Sequence, residues 1–260
     1  MRVVGGSQAG ASMGYSYPLS AAKSYEALAC DGVAAIPNFL DTQTLATLQS
    51  EARAARHRAY FCTQSHSIFL TPPDPSLPPV HVRNRQVVSS KGCICDDDVP
   101  ADSPLRAIYD SEEFREFVMG VTGDTSLHPY ADPLSSINVH YAERGQELGW
   151  HFDNSEFAIT LLIAKPSAGS HFEYVPGLRD SAAGTVDEES IEALLDGRLQ
   201  PKRLEIEPGT LVLFRGRDAI HRVTPNESVD TRVLAVLAYN AEPGVALSEA
   251  ARQTFYGRLS

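Results

Sequence analysis

The sequence predicts a mainly β fold, a sandwich or barrel of the jelly-roll kind, with helices packed against it. From about residue 135, short runs rich in β-branched and aromatic residues recur at close intervals: 136–141, 157–163, 171–175, 203–206, 210–215, 219–223 and 232–239. Turn residues punctuate them, among them Pro166, Gly169, Pro176, Gly177, Pro208, Gly209, Gly216 and Pro225. Many short strands broken by Gly and Pro are the pattern of a sandwich or barrel. Upstream, the signals are those of helices.

Taken in order, residues 1–16 are rich in Gly, Ser and Ala and read as a flexible tail. Residues 17–260 read as one domain, with a helical part over about 17–125 and a β core over about 130–243. Residues 20–30 form a short amphipathic candidate. Asp41 stands at an N-cap position before a helical run through Leu45 and Leu48 to Arg58. Residues 71–79 (TPPDPSLPP) hold five prolines and read as a loop. Asp96, Asp97 and Asp98 read as a solvated turn. Residues 103–109 and 111–121 read as helices, the second with Ser111 as cap and Glu112 and Glu113 in its first turn. Residues 187–195 read as a helix inserted between strands.

Composition bounds the function. Lys and Arg total 22 and Asp and Glu 33, a net charge of −11 in 260 residues. Such a chain repels polyanions, which argues against a nucleic-acid or anionic-membrane binder. No apolar stretch approaches a membrane span, and the N-terminus lacks a secretory h-region. The four cysteines, at 30, 62, 93 and 95, include no CxxC pair and suit a reducing compartment, so a cytoplasmic setting is expected. Nothing in the sequence speaks to oligomeric state.

The chemistry concentrates in Trp150-His151-Phe152-Asp153-Asn154 and in a distal histidine, His221. In an extended chain His151 and Asp153 project to one face. Two imidazoles and one carboxylate can cap one face of an Fe(II) octahedron and leave positions open for co-substrate and oxygen. Three features raise this above a chance HxD. Arg232, eleven residues after His221, opens an apolar run where an unpaired guanidinium is costly, yet it could hold a carboxylate bidentately. The segment 209–224 delivers His221 from a turn onto a strand. Both halves fall in the strand-rich region, about 70 residues apart, and can meet across a barrel.

The HxD, the distal His and the following Arg resemble the Fe(II)/2-oxoglutarate-dependent oxygenases. The stretch GWHFDNSEFAITLLIAKPSAGSHFEYVPG resembles a narrower branch, the free-amino-acid halogenases and hydroxylases of the lysine type. The resemblance is specific over about 130–243 and looser over 80–120. It implies a double-stranded β-helix (jelly roll, cupin-like). It implies His151, Asp153 and His221 as iron ligands, with Fe(II), 2-oxoglutarate and O2 as metal and co-substrates. It makes Arg232 the partner of the distal 2-oxoglutarate carboxylate. It brings His140 or its neighbour Tyr141 near that co-substrate, with His140 the preferred inward residue. The halogenating members resemble HxG. Asp153 fills the position that glycine leaves open to chloride, which implies hydroxylation in place of halogenation, and leaves desaturation and cyclisation open.

The expected substrate is a small polar metabolite, a free and even basic amino acid by resemblance. Arg83, or Arg85 beside it, could hold its carboxylate. Asp132 or Asn154 could hold its amine, although Asp132 before Pro133 also suits a simple turn. A nucleoside or modified amino acid remains an alternative substrate, and a metal-binding cupin without 2-oxoglutarate an alternative class. Glu173 alternates with His171 on one strand, facing pocket or solvent. Either 71–79 or 187–195 could act as a lid.

Overall fold

The computed structural model describes residues 14–260. The expected tail therefore lies outside the described residues up to residue 13. From residue 14 onward the chain is already engaged: Tyr15 bridges to Leu40 and stacks on Phe39.

The elements run in order α1 (Ala21–Asp31), β1 (Val33–Ile36), α2 (Thr42–Ala55), β2 (Tyr60–Ser67), β3 (Gln86–Ile94), α3 (Pro104–Asp110), α4 (Glu112–Thr122), β4 (Ile137–Ala142), β5 (Leu148–His151), β6 (Ala158–Ala164), β7 (Phe172–Val175), β8 (Arg179–Asp180), β9 (Thr185–Val186), α5 (Glu188–Leu195), β10 (Lys202–Leu204), β11 (Leu211–Phe214), β12 (Ile220–Val223), β13 (Arg232–Leu237) and α6 (Glu249–Tyr256). Side-chain caps set the helix starts. Ser20, Asp41, Ser103, Ser111, Asp187 and Ser248 each accept a backbone N–H from the first turn. Pro104 occupies the first turn of α3, where its missing N–H costs nothing.

Two antiparallel sheets face each other. The larger has the order β1-β11-β6-β13-β4-β3-β2, the smaller β10-β7-β12-β5. This is the jelly-roll, cupin-like fold that the sequence predicts. The outer face of the larger sheet, with Ile137, Val139, Tyr141, Leu161, Leu213 and Ala235, packs on helical residues such as Leu28, Leu48, Ile108, Phe114 and Val118. That layer is the main hydrophobic core. The inner face of the same sheet is turned toward the smaller sheet, and the functional groups lie there.

The part expected to be helical also supplies three strands. β1 adds one edge of the large sheet, and β2 and β3 add the other. The three aspartates form a single 3-10 turn held by arginines. Asp96 pairs with Arg106, Asp98 with Arg58, and both Asp97 and Asp98 with Arg258 from the C-terminus. Among the described residues, no helix is long and apolar enough to cross a membrane.

Candidate active site

β5 and β12 are adjacent in the small sheet, and their register sets His151 directly opposite His221. The two rings lie 4.2 Å apart, centroid to centroid. β5 reaches this position only because residue 149 is glycine. A Cβ there would lie 2.5 Å from the Val88 carbonyl oxygen and 3.0 Å from the Val87 side chain. Asp153 follows in the turn after β5. Its N–H donates to the Gly216 carbonyl at 2.9 Å. Arg179 donates to its carbonyl at 3.1 Å and stacks its guanidinium over Phe152 at 4.5 Å.

One Asp153 oxygen is then 3.5 Å from His151 Nε2 and the other 3.7 Å from His221 Nε2. The ligand atoms of the three residues all lie within 4.8 Å of one another, the spacing of groups that could share one metal ion. The two histidines are oriented alike. His151 Nδ1 is 2.8 Å from the Gly149 carbonyl, and His221 Nδ1 is 3.0 Å from the Ala219 carbonyl. With Nδ1–H donating to the backbone, each ring keeps its Nε2 lone pair for a metal. Burial, reinforced by the neighbouring His151, pulls the His221 pKa down to about 4. Burial alone would raise the Asp153 pKa. The charges of His221, His151 and Lys91 and a hydrogen bond with His151 outweigh it and bring it down to about 2. At neutral pH, His221 is thus neutral and Asp153 ionised, the forms in which they ligate metals.

The triad opens on a cavity of about 700 Å³ between the sheets. His140 and Arg232 line it, as does Asn154 at its exposed mouth. Arg232 is 9% exposed and pairs in register with Ala142 on β4. Burial lowers its pKa to about 10, and among the described residues no carboxylate lies within 4.0 Å of it. His140 is the inward-facing residue of its pair. Tyr141 points the other way, into the core, and donates to the Ala52 carbonyl. Burial, with Lys91 and Arg232 nearby, holds the His140 pKa well below the ordinary histidine value.

Two sequence candidates stand elsewhere. Arg83 is about half exposed and forms an ion pair with Glu188 at 2.6 Å, and it does not line the cavity. Arg85 likewise pairs with Asp196. Both tie the proline-rich loop region to α5. Asp132 is buried as the hub of a turn. It accepts from the N–H groups of Leu134 and Leu247 and from the Ser135 hydroxyl. Its acceptor capacity is spent on the fold, in keeping with the simple-turn alternative. Glu173 is also structural. It is buried and paired with Arg203 and Arg222, while its neighbour Phe172 lines the cavity. Of the two candidate lids, the loop contributes Thr71, Pro72 and Pro73 to the cavity wall, and α5 contributes nothing.

Sequence reasoning missed two cavity groups. Lys91 on β3 sets its Nζ 3.2 Å from His140 Nε2. His66 on β2 bonds Ser89 Oγ at 2.7 Å and lies 6.2 Å from the His151 ring. A β assignment for 60–67 and 86–94 would have found both, since inward positions alternate along a strand.

A family model described as HalD, Halogenase D, matches residues 84–255. No curated protein matches the chain. Many solved structures do. An oxidoreductase of the 2OG-Fe(II) oxygenase family from Burkholderia pseudomallei is 13% identical and covers 88% of this chain and 94% of its own, with a TM-score of 0.55. The non-heme alpha ketoglutarate dependent carbocyclase SnoK from nogalamycin biosynthesis is 13% identical, with coverages of 90% and 93% and a TM-score of 0.61. EctD from S. alaskensis, solved with 2-oxoglutarate and 5-hydroxyectoine, is 19% identical, with coverages of 86% and 77% and a TM-score of 0.54. At these identities the likeness is one of fold.

Proposed function

This chain belongs to the halogenase D family of Fe(II)/2-oxoglutarate oxygenases, and from that premise we propose that it hydroxylates a C–H bond of a small polar metabolite, a free amino acid in first place. The donor set fits the metal. His151, His221 and Asp153 supply two imidazole nitrogens and a carboxylate oxygen from converging directions, the ligand chemistry of non-haem iron. The cavity also fits the co-substrate. Arg232 is a buried guanidinium without an acidic partner among the described residues, which a terminal carboxylate of 2-oxoglutarate would satisfy bidentately. When bound, iron and 2-oxoglutarate together supply the oxidising chemistry.

The chain's own residues perform the rest. The backbone carbonyls of Gly149 and Ala219 fix the tautomers of the two histidines. Gly216 and Arg179 fix the turn that carries Asp153. His140 is held neutral beside the co-substrate position, where it can donate or accept one hydrogen bond without adding charge. The apolar wall of Phe172, Val212, Phe214, Leu234 and Val236 limits water in the interior of the cavity.

The observation that carries hydroxylation over halogenation is Asp153 within the triad, because its carboxylate occupies the place a halide would need. The test is succinate formation from 2-oxoglutarate with Fe(II) and ascorbate across a panel of free amino acids, with mass spectrometry of the same tubes. Substrate-stimulated succinate with a gain of one oxygen supports the proposal. Loss of two hydrogens would assign desaturation or cyclisation, and gain of chlorine would overturn it. Absence of any 2-oxoglutarate turnover or binding would leave a metal-binding cupin of another class.

A further inference from the structure

We propose that Lys91 anchors the substrate: its ammonium takes a carboxylate, and the substrate's apolar body lies along the inner side of α6. The inference rests on the oxygenase reading above and adds to it the charge of the substrate and the residue that binds it.

Position is the first argument. The register pairs Gly92 with Tyr141 and Arg232 with Ala142, so Lys91, Ala142 and Arg232 form one row across β3, β4 and β13. With strands about 4.8 Å apart, the two cationic residues originate about 10 Å from each other. Ala142 between them is a small residue that leaves the floor open. Two separate cations thus serve two separate anionic groups.

Lys91 also lacks a counter-charge. Among the described residues no carboxylate lies within 4.0 Å of its Nζ, and its polar contact is the neutral ring of His140, 3.2–3.3 Å away. An ammonium held among the cavity walls without an anion is costly. The count of charges leaves it unmatched even in the loaded enzyme. Iron contributes +2, Asp153 −1 and 2-oxoglutarate −2, and Arg232 restores +1, which sums to zero. Lys91 stands outside that sum, and Glu147, the other carboxylate on the cavity wall, does not lie within 4.0 Å of its Nζ, so a substrate carboxylate would supply the missing counter-charge.

The two cations also stand on opposite sides of β4, Lys91 on β3 and Arg232 on β13. Lys91 and Asp153 feel each other's charge. On the α6 side of Lys91 the wall is largely apolar. Its Nζ lies 5.7 Å from the Phe255 ring, and Ala250 and Ala251 of α6 line the same cavity. That wall is fixed in place. Tyr256 donates to Asn138 Oδ1 at 2.9 Å, and Arg258 clasps Asp97.

The test is calorimetric titration of the full chain loaded with Fe(II) and saturating 2-oxoglutarate without oxygen, with hexanoate as probe. Hexanoate is expected to bind, and hexylammonium, of equal length and opposite charge, is not. Lys91→Met should weaken hexanoate about 30-fold or more and leave 2-oxoglutarate affinity unchanged. Lys91→Arg, which keeps the charge, should retain most of the hexanoate affinity. Absence of hexanoate binding to the wild type, or equal binding by Lys91→Met, overturns the proposal. A fall in 2-oxoglutarate affinity in Lys91→Met overturns it as well and makes Lys91 a co-substrate residue. If 2-oxoglutarate fails to bind the Fe(II) protein at all, the oxygenase reading itself has failed.

Discussion

Replacing Gly216 with alanine puts a methyl group where the Asp153 carboxylate sits. A Cβ at that position would lie 1.7 Å from Asp153 Oδ2, 2.5 Å from Cγ and 2.9 Å from its Cβ. Ordinary contact begins at 3.4 Å, so the oxygen must retreat by roughly 1.7 Å. Metal–ligand distances tolerate only about 0.2 Å. The Asp153 main chain cannot follow freely, because its N–H is bonded to Gly216 and its carbonyl to Arg179. The carboxylate is therefore pushed out of reach of the two imidazoles while the fold is kept. Fe(II) affinity should fall by about 10–100-fold or more. Anaerobic equilibrium dialysis against Fe(II) reads that change, and a thermal melt by circular dichroism checks that the variant folds. Wild-type affinity in a folded Gly216→Ala protein would refute the role of Asp153 as a ligand.

Arg232→Ala should weaken 2-oxoglutarate binding by about 2–5 kcal/mol, since it removes a buried charge-assisted pair, and titration of the Fe(II)-loaded variant reads it. Asp132→Ala should destabilise the protein by about 2–3 kcal/mol, because the N–H groups of Leu134 and Leu247 lose a charged acceptor; urea unfolding measures it, and Fe(II) and 2-oxoglutarate affinities should stay as in wild type. Stability should fall as pH drops below about 6.5. The unfolded His140 takes up a proton there, whereas the folded one stays neutral, so the unfolded state binds more protons. The urea midpoint should therefore fall less from pH 7.5 to 5.5 in His140→Gln than in the wild type, and an equal fall would discount His140.

The parts of this molecule legible in sequence are those where burial leaves a hydrophobic signature. β6, β11 and β13 are apolar on both faces or nearly so, and they read as strands at once. The metal triad was legible for a different reason. Its residue types and its His-x-Asp spacing encode their own geometry once a strand and a turn are assumed. The two strands β2 and β3 were not legible. Tyr60–Ser67 and Gln86–Ile94 turn Cys62, Gln64, His66, Ser89 and Lys91 into the cavity. A strand whose inner face lines a polar site lacks the apolar alternation by which strands are recognised. The features that make β3 functional are those that concealed it, and Lys91 was lost with it. Arg83 illustrates the reverse error. An arginine pair in a proline-rich stretch looks chemically attractive, but only the fold reveals that Glu188 and Asp196 already hold it. Residues 249–256 (EAARQTFY) are amphipathic, but the segment is short and polar on average, so it does not stand out as a packed helix, although α6 walls the cavity.

The central claim is that His151, Asp153 and His221 hold an iron to which 2-oxoglutarate binds, with Arg232 gripping its far end. Anaerobic titration of 2-oxoglutarate into the full chain, with and without Fe(II), tests it most directly. One equivalent should bind, only when Fe(II) is present, and His221→Ala should abolish that binding in a folded protein. Binding that ignores the metal, or that survives in His221→Ala, would contradict the account.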